Sequence, residues 1–226
     1  MEAVPRVISN ASYNLRMSTR LLVDGNGIVC RTWWASTSNV VERFRAAVER
    51  ARPSTGAEVI VCWDHADGSW RRDLYSRYKA ARPPKPKGLF KALDDCHGVF
   101  DQLEAPGFEA DDIIATLVRR YSFVPLTMIL SDDKDMAQLV WRRCLTVSSS
   151  GQVYGIEAVR ARFGVPPERI RHLLSWMGDK SDGLPGVPGY GAKKSIAKAL
   201  AGEIGNQLTY DLTELATVPD ELMRKY

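Results

Sequence analysis

The chain has 226 residues, 45% of them hydrophobic and 26% charged, which is the make-up of a globular protein with room for one sizeable domain and a smaller appendage. No run of eighteen apolar residues occurs, so an apolar helical membrane span is excluded, and a net charge of +4 names no partner by itself. Cys30, Cys62, Cys96 and Cys144 lie far apart with no CxxC pair, so neither a zinc site nor a disulfide framework is expected and a reducing cytoplasm fits.

Residues 1–20 hold Arg6, Arg16 and Arg20 against one acid and lack the apolar stretch of a secretory leader. They read as a disordered extension, with the folded part starting near Met17. Three short apolar runs follow: Leu21–Val23, Val59–Trp63 and Leu126–Leu130. They are continuous rather than alternating, as suits strands buried on both faces of a parallel sheet, and Cys144–Val147 is a fourth candidate. Helical stretches lie between them at Asn39–Ala51, Leu89–Leu103 and Asp111–Tyr121. Strands alternating with helices predict an α/β fold, a mostly parallel sheet flanked by helices over residues 21–150. After Ser148–Gly151 the strand signals fade. Helices are expected at Ile156–Phe163, Pro167–Met177 and Ala192–Ala201, forming a helical module over 151–226. Its Gly183–Gly191 stretch, with Pro185 and Pro188, reads as a tight turn between helices.

Acids mark the ends of the strands: Asp24 after the first, Asp64 after the second and Asp133 shortly after the third. Ligands of open parallel sheets bind outside the carboxyl ends of the strands, so three acids at one edge form a pattern where one would be turn chemistry. FEADDII adds Glu109, Asp111 and Asp112 at a helix start, where acids also favour the dipole; SDDKD adds Asp135; GDKSD adds Asp179 and Asp182. On a helix Glu109 and Asp112 share a face, with Asp111 about 100° away from Asp112. Brought together, these carboxylates repel: two charges ~5 Å apart cost roughly 3 kcal/mol at an effective dielectric near 20. Such a cluster persists only if acids take up protons or cations neutralise them. All-oxygen donors suit Mg²⁺ or Mn²⁺, and two such ions about 4 Å apart can clamp a phosphodiester.

LLVDGNG, YKAARPPKP, APGFEADDIIA, LSDDKDMAQL and GDKSDGLPGVPGYGAKKS, in that order, resemble the structure-specific 5′ nucleases: flap endonucleases, bacteriophage 5′–3′ exonucleases and the 5′-nuclease domain of bacterial DNA polymerase I. The resemblance covers roughly residues 21–201 and implies a PIN-like core. It places Asp24, Asp64, Glu109, Asp111, Asp112, Asp133, Asp135, Asp179 and Asp182 on the family's metal-site acids, with Asp133 chosen over Asp132. Lys79 and Arg82 fall on the catalytic basic pair of YKxxR. Tyr78 is implied either as a base-stacking ring or as a core tyrosine, and Arg31 as a phosphate contact. The module resembles a helix–three-turn–helix whose Lys193 and Lys194 pair with duplex backbone, with K⁺ implied at the Gly-rich turn. A helical arch is implied within 83–108, lined by Lys85, Lys87 and Lys91, although this stretch is shorter than in the polymerase-linked relatives.

The expected activity is a two-ion 5′–3′ exonuclease or flap endonuclease acting in DNA replication and repair on flaps, nicks or free 5′ ends, including RNA–DNA hybrids. A cytoplasmic monomer without membrane attachment, and without a polymerase segment, is expected. The rivals are a ribonuclease on the same core and a junction-binding protein that does not cut.

Overall fold

The computed structural model describes residues 19–225, so the expectations for residues 1–18, including a start near Met17, lie outside the described residues. In chain order the elements are β1 (Arg20–Asp24), α1 (Gly25–Ala35), α2 (Val40–Ala51), β2 (Glu58–Cys62), α3 (Trp70–Leu74), α4 (Lys87–Cys96), β3 (Gln102–Glu104), α5 (Ala110–Arg120) and β4 (Thr127–Leu130). A 3₁₀ turn at Lys134–Leu139 precedes β5 (Cys144–Val147), β6 (Val153–Tyr154), α6 (Ile156–Phe163), α7 (Ile170–Met177), α8 (Ala192–Leu200), α9 (Gln207–Leu212) and β7 (Arg224–Lys225).

The strands form one sheet in the order β6-β5-β4-β1-β2-β3-β7. The five inner strands run parallel, and both edge strands are antiparallel. Every residue of β1 is buried, because β1 is the central strand, with Leu22 beside Ile60 on one side and Ile129 on the other. Alternation along the strand divides the core. Leu21 and Val23 pack with Phe44, Val48 and Leu89 of the helices on one face, and Leu22 packs with Ile113, Ile114 and Leu117 of α5 on the other.

The helix expected over Leu89–Leu103 stops early. Gly98, in the left-handed region, ends it, and its N–H donates to Gln102 Oε1, after which the chain turns into the three-residue β3. Nor does an arch stand free here. Leu89, Ala92, Leu93 and Cys96 of α4 are buried in the first core, and Lys91 forms an i,i+4 pair with Asp95. Only the stretch from 83 to 87 stays open along its length, with Lys85 and Lys87 exposed.

Beyond residue 150 the helices pack on their own small core of Val159, Val165, Ile170, Leu173, Leu174 and Ala199, which is joined to Ala137 and Val140 of the 3₁₀ turn. The segment is not wholly helical. β6 and β7 close the two sheet edges, and Leu215 and Val218 return to the core beneath α5.

Candidate metal centre

The carboxyl end of β1 begins the site. Asp24 caps α1 through Oδ1, which accepts from Gly27 N–H at 2.8 Å, while Oδ2 accepts from Ser131 Oγ at 2.9 Å. A side chain at position 27 would strike this carboxylate, since its Cβ would lie 2.1 Å from Asp24 Oδ2; that close approach explains the glycine of the DGNG turn. Asp64 leaves β2 and accepts from Ala110 N–H at 2.9 Å, which ties it to the start of α5. Asp133 caps the 3₁₀ turn by accepting from Asp135 N–H at 2.8 Å. The three strand ends therefore deliver their acids to one edge.

Burial and mutual repulsion leave Asp24, Asp64, Asp111 and Asp135 hard to ionise. Burial, then Asp64, pushes the Asp24 carboxyl up to about 6, with Asp133 adding to the rise. Burial, then Asp133, pushes Asp135 up to about 7, against the pull of Lys134. Asp111 is raised well above the ordinary carboxylate range by burial, then by Asp133 and Asp24. Asp64 keeps an open surface, yet displacement of water by the surrounding protein, then Glu109, raises it as well. The electrostatic neighbours fall into two overlapping groups. One contains Asp24, Asp64, Glu109, Asp111 and Asp133; the other contains Asp135, Asp179 and Asp182 and meets the first at Asp133.

Basic side chains reach in from the rim. Lys79 Nζ donates to Glu109 Oε1 at 3.0 Å, Arg82 pairs with Asp182, and Lys134 pairs with Asp179. Burial works to lower the Lys79 pKa, but Glu109, Tyr78, Asp111 and Asp64 together outweigh it and the ammonium stays charged through the neutral range. Burial likewise works to raise Asp179, but its bonds to Lys134 and Ser181 leave it below the ordinary range. Lys79 sits in the left-handed region, at φ 55°, rare for a residue with a side chain. Its N–H donates to Asp182 O at 2.8 Å, and that backbone bond seats the YKxxR segment against the Gly-rich turn.

Among the described residues, no three acid, His or Cys side chains already stand at the spacing of a closed ion site. The donor set nonetheless suits a hard cation. It is all oxygen, it carries excess negative charge, and Asp135 Oδ1 is buried without a hydrogen-bond partner, the Lys134 ammonium lying 3.6 Å off.

Two implied residues are placed elsewhere. Asp112 is fully buried and accepts from both terminal nitrogens of Arg71, at 2.7 and 2.8 Å, from Trp70 Nε1 at 3.2 Å and from Ala216 N–H at 2.8 Å. Its oxygens hold α3, α5 and the C-terminal segment together, which corrects its reading as a metal acid. Tyr78 is 4% exposed, packed on Leu184 and Leu212, with its hydroxyl donating to Glu109 Oε2 at 3.0 Å. The ring is core and is not free to stack on a base. Asp132 is likewise occupied, by Ser149 N–H at 2.9 Å and Ser149 Oγ at 2.6 Å. Arg31 is exposed and only loosely paired, 3.7 Å from Asp132.

The sequence reading missed Arg71. It is 3% exposed and binds Asp112, Glu109 and the carbonyls of Leu212 and Glu214 at once, so it positions the EADD segment. Three other arginines follow within eleven residues, at positions 72, 77 and 82, and nothing in their spacing marks Arg71 as the buried one.

The turn from Gly178 to Gly191 joins α7 to α8 and is woven from backbone. Asp179 and Leu184 exchange N–H···O bonds at 2.9 and 2.7 Å, and Val187 N–H reaches Trp176 O at 2.9 Å. Gly178, at φ 71°, passes so close to Gly186 that a Cβ would lie 2.4 Å from its nitrogen. Lys193 and Lys194 stand exposed in the first turn of α8.

Comparison with known proteins accords with this arrangement. The profile of the family described as "5'-3' exonuclease, N-terminal resolvase-like domain" matches residues 19–164. The 5′-3′ exonuclease of Aquifex aeolicus is 33% identical over 201 residues, covering 80% of this chain and 68% of that protein. The thermostable DNA polymerase I of Thermus filiformis is 35% identical over 222 residues, 91% of this chain; the chain spans only 26% of the polymerase's length. The chain belongs to the 5′-3′ exonuclease family. Its fold is shared with the bacteriophage T5 flap endonuclease solved in a pseudo-enzyme-product complex with DNA and metal ions, at TM-score 0.69 and 21% identity over 86% of this chain and 87% of that one. It is also shared with the catalytic core of Rad2 in complex with DNA substrate, at TM-score 0.52 and 17% identity over 82% of this chain and 62% of that one.

Proposed function

We propose that this chain is a divalent-metal-dependent nuclease that hydrolyses DNA phosphodiesters near 5′ ends, as a 5′–3′ exonuclease and flap endonuclease of replication and repair. The observation that carries the reading is the meeting of acids from three strand ends, α5 and the α7–α8 turn in one place, with Asp24 and Asp135 displaced to about 6 and about 7 by their own crowding. The family's 5′-3′ exonuclease relatives support it.

Asp24, Asp64, Glu109, Asp111 and Asp133 would hold one Mg²⁺ or Mn²⁺, and Asp135, Asp179 and Asp182 would complete a second position with Asp133. When bound, such ions neutralise a phosphodiester and furnish an activated water. Lys79 contributes a fixed positive charge beside the reacting phosphate, since it stays protonated, and Arg82 a second one. Glu109 orients Lys79 through the 3.0 Å bond and is itself held by Tyr78 and Arg71. We further propose that the helices after residue 150 form the duplex-binding module, with K⁺ at the Gly178–Gly191 turn. The buried Ser195 Oγ, which lacks a hydrogen-bond partner, lies in the helix turn that follows it. Lys193 and Lys194 would pair with phosphates, which fix position without reading sequence. The chain would act as a monomer on flaps, nicks, free 5′ ends or RNA–DNA hybrids.

A 5′-labelled flap incubated with and without Mg²⁺ tests the reading. Cleavage near the base of the flap only with Mg²⁺ is expected. Binding without cutting would favour a junction-binding protein, and cleavage of RNA alone a ribonuclease. Lys193→Ala should weaken duplex binding and reduce the slope of log affinity against log salt by about one; an unchanged slope would remove Lys193 from the interface.

A further inference from the structure

Beside the acidic centre lies a second feature that the proposed chemistry does not use, a cavity of about 280 Å³ between α1, the β4 turn, the β5–β6 turn and α6. It shares Asp133 and Lys134 with the acid group, and Arg31, Asp132, Ser148, Ser150, Tyr154 and Arg162 are among the residues that line the rest. We infer that this cavity is a subsite for a nucleoside 5′-monophosphate, bound through its phosphate by Arg31 and Arg162. The inference deepens the nuclease reading and rests on it for why a nucleotide is at hand.

Three observations carry it. First, the cavity is close in size to the smaller small-molecule sites, which start near roughly 300 Å³. That is room for a single nucleotide rather than a duplex.

Second, two guanidinium groups face it with their charge incompletely matched. Arg162 lies 5.0 Å from the centroids of both the Tyr154 and Phe163 rings and, among the described residues, makes no ion pair. An arginine resting on rings keeps its planar N–H fork free for a phosphate. Arg31 has only Asp132, at 3.7 Å, and both Asp132 oxygens already accept from Ser149.

Third, the wall between them is polar and rigidly set. Ser148 Oγ bonds Ser150 Oγ at 2.8 Å and accepts from Gln152 N–H at 3.1 Å, and Tyr154 Oη donates to Gln152 Oε1 at 2.9 Å. These hydroxyls can turn toward phosphate oxygens while the short β5–β6 connection holds them in place.

The position has a chemical consequence. A nucleotide released at the acidic centre with a 5′-phosphate would meet this cavity next, across Asp133 and Lys134, so such nucleotides would compete with the incoming strand.

Titration calorimetry on the full chain in EDTA tests the assignment, with thymidine 5′-monophosphate, thymidine and inorganic phosphate as probes. The nucleotide is expected to bind, thymidine not at all, and inorganic phosphate at least tenfold more weakly than the nucleotide. Arg162→Ala is expected to weaken nucleotide binding at least tenfold, while Arg72→Ala, exposed on α3 and outside the cavity lining, leaves it unchanged. Arg162 is exposed on α6, so its replacement preserves the fold, which circular dichroism checks. Equal nucleotide affinity in Arg162→Ala and the wild type, or thymidine or phosphate binding as tightly as the nucleotide, would overturn the inference. The assay needs no metal and no cutting. A chain that cuts flaps but ignores the nucleotide loses only this subsite, and one that binds the nucleotide but never cuts loses only the nuclease reading.

Discussion

Asp111→Asn is expected to lower Mg²⁺-dependent cleavage by about 10²–10³-fold, the scale of losing one preorganised electrostatic group, while making the folded chain more stable at pH 8. Asp111 is shielded from water by burial and faces Asp133, Asp24 and Glu109, which repel its charge. Its carboxyl is raised in the folded state, so between the unfolded value and the folded one the native chain holds protons that the unfolded chain has released. Stability therefore falls as pH rises through that window. For the companions Asp24 and Asp135 the window runs from the ordinary 3.8 to about 6 and about 7. Asparagine keeps the shape and removes the charge. The gain should be present at pH 8 and should close toward pH 4, where the wild-type acids are protonated as well. Denaturant melts at both pH values measure this. A variant that is less stable at pH 8 than the wild type would mean the acids do not repel one another as described.

Arg71→Met should have the opposite effect on folding. It leaves Asp112 fully buried and charged without its bidentate partner, and breaking such a pair costs about 3–5 kcal/mol. It also frees the Leu212 and Glu214 carbonyls that tether the C-terminal segment. The double replacement Arg71→Met with Asp112→Asn should recover part of the loss, because the orphaned charge is gone. A single-variant cost below about 1 kcal/mol in urea midpoints, at unchanged slope, would show that the pair does not hold α3 to α5.

These two residues mark where the sequence was legible. Asp24, Asp64 and Asp133 could be read because each follows a buried apolar run, and strand ends at one sheet edge bring such residues together whatever the loops do. Glu109 turns out to be the extended N-cap of α5 rather than part of it, so the shared helical face expected for Glu109 and Asp112 does not apply, although Arg71 binds both acids. That Asp112 serves packing rather than the acid group could not follow, because it depends on which arginine is drawn inside, a tertiary choice. β3 and β7 escaped notice because three and two residues carry no usable alternation. Tyr78 misled for the related reason that a ring in a basic motif reads the same from sequence whether it faces a base or Leu184.

The central claim is that acids distant in sequence form a common seat for hard cations. Crystals grown with Mn²⁺ and measured for anomalous scattering test it most directly. The account predicts peaks among Asp24, Asp111, Asp133 and Asp135, with the Arg71–Asp112 pair undisturbed. Peaks bound only elsewhere on the surface, with these four carboxylates still unligated, would contradict it.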